Sequence, residues 1–338
     1  MASPVVSPAA DLFDRRLLIL SGKGGVGRTT VAAALARVAA ARGKRVLIAQ
    51  TDAVERLGKM LGRPEPIGPT VVDVAPGIAA VNMTPRESLH QYALMVLRYE
   101  TVYRALFDNR VVRGFLSAIP GLDAYAMLGK AWWHTTEEVK GAARRWVYDL
   151  VILDGPASGH ATAMLKIPRA ILEAVPAGPL ARDARTMSDL LSDPVRTALV
   201  IVTRPEELPA GETVELAATA RGTLRIPLGP LIVNAVPPAR LTAEPLSSAI
   251  DLLRGVADDE RLARTVALVA GQRAQRRTAE AVLASLEKNP GLPMVTLPWL
   301  PSTALGPAEL DRLASALASS PAVTPQPSAP GVPVTGAR

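Results

Sequence analysis

The chain has 338 residues, of which 49% are apolar, and carries 38 lysines and arginines against 31 acidic residues, for a net charge of +7. That length and apolar content allow a large core, as one big α/β domain or two smaller ones. The absence of cysteine excludes disulfides, thiolate metal sites and cysteine nucleophiles.

No run of eighteen apolar residues lacks a charge or a proline, so no membrane span is expected. Residues 1–8 lack the basic and apolar regions of a signal peptide, so the expected location is the cytoplasm. A pI near 10.0 permits weak attraction to nucleic acid or anionic lipid. The basic residues are dispersed, however, and the densest cluster, Arg273, Arg276 and Arg277, falls in a predicted helix and reads as a solvated face. No specific nucleic-acid partner is expected. His90, His134 and His160 are too scattered for a zinc site.

Residues 1–13 are mostly small, with two prolines, and read as a flexible N-terminus. An apolar run at 16–20 predicts the first strand, and the alanine-rich run at 30–41 the first helix. Further strands are predicted at 46–49, 70–74, 78–83, 150–153, 198–203, 230–236 and 294–299. Short apolar strands alternating with helices predict a doubly wound, mostly parallel α/β sheet of about eight strands.

A helical insertion over 86–146 interrupts this alternation, with Tyr92, Val96, Tyr99, Tyr103 and Phe107 recurring on one helical face. Ten of the twelve aromatic residues fall in 92–148. So much bulk predicts a subdomain with its own apolar cluster, and tyrosines whose hydroxyls stay wet would suit the wall of a groove, although such a stripe more often packs as core. A second long helical stretch, 257–288, is placed beside the first. The main domain is read as 14–318, and the proline-rich, aperiodic residues 319–338 as a disordered tail.

Between the first strand and the first helix lies S-G-K-G-G-V-G-R-T-T, residues 21–30. Gly22, Gly24, Gly25 and Gly27 let the backbone curl so that N–H groups point inward, and the helix N-terminus adds its dipole to the same anion site. Gly22 and Gly27 have the spacing of the phosphate-binding pattern G-x-x-x-x-G-K-[ST], Val26 lies inside it, and Thr29 and Thr30 follow. Arg28 stands at the lysine position, and a second cation, Lys23, lies within the loop. Arginine keeps the charge but offers a planar fork in place of a compact ammonium, which makes slow hydrolysis an open alternative. Asp52 and Asp154 end strands on the same edge as this loop, where doubly wound folds bind ligands. One carboxylate there can hold Mg²⁺ and another can orient the attacking water, and the glycine after Asp154 offers an N–H to a γ-phosphate.

The loop resembles the deviant phosphate-binding loop K-G-G-x-G-K-[ST] of the arsenite-pump, septum-site and chromosome-partitioning ATPases. D-G-P-A-S-G-H at 154–160, with its continuation A-T-A-M-L-K-I-P, is similar to the arsenite-pump and tail-anchored-protein targeting ATPases. That resemblance implies an ATP- and Mg²⁺-dependent ATPase, dimeric with itself or with a paralogue. In it Lys23 reaches the partner's nucleotide, Thr29 and Asp154 hold Mg²⁺, Asp52 orients water, and Asn234 contacts adenine. The client is left open, and the aromatic insertion suggests a hydrophobic protein or a membrane partner. The sequence departs from the family at Arg28, at Asp52-Ala-Val-Glu55 and at Gly155-Pro156, and it lacks the cysteines of arsenite or zinc binding. Arg28 and the altered Asp52 segment favour, as the alternative, a weakly hydrolysing regulatory subunit. A partition-type DNA-binding ATPase is the least favoured reading.

Overall fold

A computed structural model describes residues 11–97, 121–139, 141, 145–175, 177–238, 259–302 and 304–323. Eight strands form one sheet: β1 Leu17–Ser21, β2 Val46–Thr51, β3 Val72–Ala75, β4 Ile78–Met83, β5 Leu150–Asp154, β6 Thr197–Thr203, β7 Leu228–Val236 and β8 Met294–Pro298. Their spatial order is β3-β4-β2-β5-β1-β6-β7-β8, and every pairing is parallel except β3 with β4. Strand β1 reads Leu-Leu-Ile-Leu-Ser and is buried along its whole length, as a central parallel strand covered on both faces must be.

Alternate residues go to opposite faces of the sheet. Leu18, Leu20, Ile48, Ile152 and Val200 face the layer formed by helices α1 (Arg28–Ala41) and α2 (Leu57–Leu61) and the C-terminal helix Pro307–Ala318. Leu17, Ile19, Leu47, Val151 and Ile201 face the other layer. This second layer comprises α3 (Pro85–Leu97), α4 (Leu122–Thr136), α5 (Ser158–Ala174), α6 (Pro179–Ser192) and α7 (Glu207–Thr219). Helix α1 is buried along most of its length, and its alanines admit the C-terminal helix at close range.

Three expectations need correction. Leu12 and Phe13 are not part of a flexible N-terminus: they form a short 3-10 turn capped by the Asp11 carboxylate and are buried in the first core, because Phe13 also stacks under Arg42. The tail does not begin at 319, since Val323 is fully buried against the same core. The described part of the insertion has no apolar cluster of its own. Tyr92 from α3 and Tyr125, Leu128 and Ala131 from α4 share the second core with the strands. Tyr92 packs as core, as such a stripe more often does: its ring meets Tyr125 edge-on at 5.3 Å, and its hydroxyl, instead of staying wet, binds Tyr125 Oη at 3.1 Å and Asp183 Oδ2 at 3.3 Å. Tyr99, Tyr103 and Phe107 lie outside the described residues, and nothing is described of the Val96 side chain. Helix α8 (Asp259–Lys288) buries Ala279, Val282 and Leu286 and packs on α7. Among the described residues no helix is long and apolar enough to cross a membrane.

Candidate nucleotide site

Strands β1, β2 and β5 are adjacent and parallel, so the loop after β1, Asp52 after β2 and Asp154 at the end of β5 meet on one edge of the sheet. At the loop's start Gly22 has φ +153°, and a Cβ there would lie 2.0 Å from the Val202 carbonyl oxygen of β6. Gly27 caps α1 in the left-handed region with φ +91°, and no side chain caps the helix. The first-turn N–H groups of α1 therefore face the loop without a side-chain acceptor. Space beside Gly24 and Gly25 is open, as a phosphate cradle requires.

Thr29, in the first turn of α1, donates from Oγ1 to Asp154 Oδ2 at 2.6 Å. Gln50 Nε2 reaches the same oxygen at 3.3 Å, and Thr51 Oγ1 donates to the Asp154 carbonyl at 3.0 Å. Burial pushes the Asp154 carboxyl pKa up, opposed by the hydrogen bonds from Thr29 and Gln50 and by the charge of Arg28. Two further buried oxygens in this neighbourhood, Ser21 Oγ and Gln50 Oε1, have no hydrogen-bond partner. A threonine hydroxyl, a carboxylate and orphaned oxygen donors, with no nitrogen or sulfur among them, are hard ligands that suit Mg²⁺. Thr29 and Asp154 are thus brought together as the sequence predicted. Ser21 and Gln50 were missed, though each is a polar residue ending an otherwise apolar strand.

The cations are engaged within the chain. Arg28 is over half buried and donates from Nη1 to the Gly22 carbonyl at 2.6 Å, closing the loop on itself. Burial lowers its pKa, and the Asp154 charge works against that. Lys23 forms an ion pair with Glu212 of α7, whose other carboxylate oxygen accepts from Ser158 Oγ at 2.9 Å. The Lys23 hydrogen bond, then that of Ser158, hold the Glu212 carboxyl below its usual pKa. No motif marks Glu212, because its helix is distant in sequence and only packing delivers it.

The segment after Asp154 is tied to β1 and the loop. Gly155 N–H donates to the Leu20 carbonyl at 3.1 Å, and Ser158 N–H to the Gly22 carbonyl at 3.1 Å. The expectation that the Gly155 N–H points to a γ-phosphate is therefore corrected: it is bonded to β1. A Cβ at this position would lie 2.7 Å from Leu20 O, which explains the glycine. Asp52 is exposed and has φ +46°, a conformation that aspartate tolerates better than most residues. Its N–H bonds the Met83 carbonyl at 2.8 Å, and Asn82 clamps the next residue, Ala53, through both its side-chain atoms at 3.0 and 2.8 Å. Asn234, at the end of β7, is tied to the loop: Nδ2 donates to the Val26 carbonyl at 2.9 Å and Oδ1 accepts from Ala235 N–H at 2.9 Å, which leaves one amide N–H and one lone pair uncommitted.

A glycine cradle opening on a helix N-terminus, with a carboxylate from the adjacent parallel strand bonded to the first-turn threonine, is the geometry of a P-loop nucleoside triphosphatase. Which lineage of that class this is follows from comparison with known proteins. The model of the anion-transporting ATPase family matches residues 15–176, and these residues belong to that family. ATPase BagA of Mycobacterium tuberculosis is 27% identical over 241 residues, covering 70% of this chain and 69% of its own length. The arsenical pump-driving ATPase of Acidiphilium multivorum is 29% identical over 252 residues, 69% of this chain and 42% of its own. One from Escherichia coli is 28% identical over 221 residues, 60% of this chain and 37% of its own. This chain therefore spans less than half the length of those two arsenical pump-driving relatives.

Proposed function

We propose that this protein is a cytoplasmic, Mg²⁺-dependent ATPase that works as a nucleotide-driven switch. The observation that carries this reading is the bond between Thr29 and Asp154 at the mouth of the glycine loop. Thr29 and Asp154 would hold Mg²⁺, which when bound neutralises charge on the β- and γ-phosphate oxygens. The loop from Gly22 to Gly27 and the α1 N-terminus bind the phosphates of ATP through backbone N–H groups. Asp52, exposed at the end of β2, orients the attacking water. Lys23 acts across a dimer on the partner's nucleotide, so its ion pair with Glu212 must open when the dimer closes around ATP. The partner is a second copy or a paralogue, and the client is a hydrophobic protein or a membrane component.

One observation favours a second reading, a weakly hydrolysing regulatory subunit. The Arg28 guanidinium is bonded to the backbone of its own loop, where a compact ammonium would reach toward phosphate. A steady-state ATPase assay with and without Mg²⁺, alongside fluorescent ATP binding, separates the two readings. Asp52→Asn is expected to leave affinity within several-fold while lowering turnover, since a group that orients water acts mainly in the transition state. Tight ATP binding with negligible turnover in the wild type would select the regulatory reading, and no ATP binding would reject both.

A further inference from the structure

A cavity of about 490 Å³ lies on the β3 side of the sheet, walled by α3, α4, the segment before β3 and the segment before β5. Its lining shares no residue with the phosphate loop, and it combines aromatic surface with a small set of polar groups. Tyr92, Trp133 and Tyr148 supply the rings, and Lys130, His134 and Glu137 the polar atoms. We propose that this cavity binds a small aromatic monocarboxylate that also carries a hydroxyl or N–H donor.

Lys130 calls for the carboxylate. It is buried, and among the described residues its ammonium donates one hydrogen bond, to the Pro69 carbonyl at 2.9 Å. An ammonium has three N–H groups, so two remain for a ligand. Burial lowers the Lys130 pKa, with Glu87 opposing from a distance, so a bound anion would relieve the desolvation of this cation. Among the described residues Lys130 is the one basic side chain of the lining and Glu137 its one carboxylate, so the lining has no surplus of positive charge to hold phosphate or a dicarboxylate.

His134 calls for the donor. Its Nδ1 lies 3.0 Å from Glu137 Oε2, and an ionised carboxylate only accepts, so Nδ1 bears the proton. Burial, the main effect, lowers the ring's pKa against the opposing pull of Glu137 and so favours the neutral form. Nε2 is then a bare acceptor, and it is a buried atom without a partner. Nε2 is closed off in this structure, so a ligand hydroxyl or N–H reaches it only when one of the rings packed on the imidazole, Trp133 or Tyr148, shifts, and the unmet acceptor favours that shift. Trp133, exposed more than any other large residue of the lining at 38%, gives the aromatic body a face on which to stack.

The test uses the full chain and ligand-observed NMR with calorimetry, probing with 4-hydroxyphenylacetate and indole-3-acetate. Phenylacetate removes the donor and 4-hydroxyphenylacetamide removes the charge. Saturable binding of the two acids is expected, with the amide weaker by about tenfold or more and phenylacetate weaker by several-fold, as for loss of a buried charged or neutral hydrogen bond. Lys130→Met should weaken the acids by about tenfold or more, since the charge that selects them is gone. Trp133→Ala, at a partly exposed position, should weaken them while leaving the circular dichroism spectrum unchanged. The proposal is overturned if neither acid binds saturably, if acid and amide bind equally, or if folded Lys130→Met binds as tightly as wild type. Should Lys130→Met fail to fold, the acid–amide comparison on the wild type and the Trp133→Ala titration decide. None of these outcomes depends on ATP hydrolysis.

Discussion

The bond between Asn234 and the phosphate loop makes Gly27 more than a hinge for phosphate, and a double-mutant cycle can isolate that contact. A methyl added at Gly27 would sit 2.2 Å from Asn234 Nδ2, on a backbone with φ +91°. Left-handed strain costs about 1–2 kcal/mol, and driving the amide off the Val26 carbonyl forfeits a hydrogen bond of about 1 kcal/mol. Gly27→Ala should thus lose about 2–3 kcal/mol of stability. Asn234→Ala removes the amide and both of its bonds, for about 1–2 kcal/mol. In the double variant the methyl has nothing to strike and the Val26 bond is lost only once, so the two costs should fall short of additivity by about 1 kcal/mol. Urea unfolding of the wild type, both single variants and the double variant gives this coupling directly. Additivity within about 0.3 kcal/mol would refute the contact. Gly27→Val, with a larger clash, should also abolish fluorescent ATP binding, and unchanged binding would reject the phosphate-loop assignment itself.

Three further outcomes follow from the same geometry. Arg28→Lys should retain ATP binding and raise turnover, because lysine cannot keep the guanidinium's bond to Gly22 in the same form; unchanged or lower turnover would mean that the site is built around arginine. Asp154→Asn should abolish the Mg²⁺ dependence of ATP binding yet stabilise the apo protein at neutral pH, because burial disfavours the carboxylate more than the hydrogen bonds from Thr29 and Gln50 and the charge of Arg28 favour it. Because burial raises the folded pKa of Asp154 above 3.8, the folded chain binds this proton more tightly than the unfolded chain. Stability from this group is therefore present at low pH and lost as pH rises through the folded value, and the gain in the variant should shrink on acidification. Thermal melts from pH 4 to 7.5 would show the reverse trend if Asp154 were stabilising as an anion. Truncation after Val323 should leave the melting temperature unchanged, whereas truncation after Ala318 removes a fully buried valine and should cost about 2 kcal/mol.

All eight strands were legible in the sequence, with ends that differ from the observed ones by at most two residues: central parallel strands buried on both faces must be continuous apolar runs, and the partly exposed antiparallel edge strand β3 showed as a short valine-rich run. The glycine loop and Thr29 were legible for a related reason: a loop whose backbone must curl around an anion, and a helix that must start there, constrain residues adjacent in sequence. The placement of Asp154 beside Thr29 followed from topology, since carboxyl ends of neighbouring parallel strands meet on one edge. What only the tertiary structure decided are the partners that arrive from remote elements. Glu212 reaches Lys23 across 189 residues and Asn234 reaches the Val26 carbonyl across 208, and no local pattern announces either contact. The burial of Phe13 and Val323 escaped sequence reading because a single apolar residue in a short, proline-flanked segment has no period to reveal it. Lys130 and His134 lie in a helix whose sequence gives no sign of a cavity; it took the packing of α4 against the segment before β3 to bury both side chains in one lining.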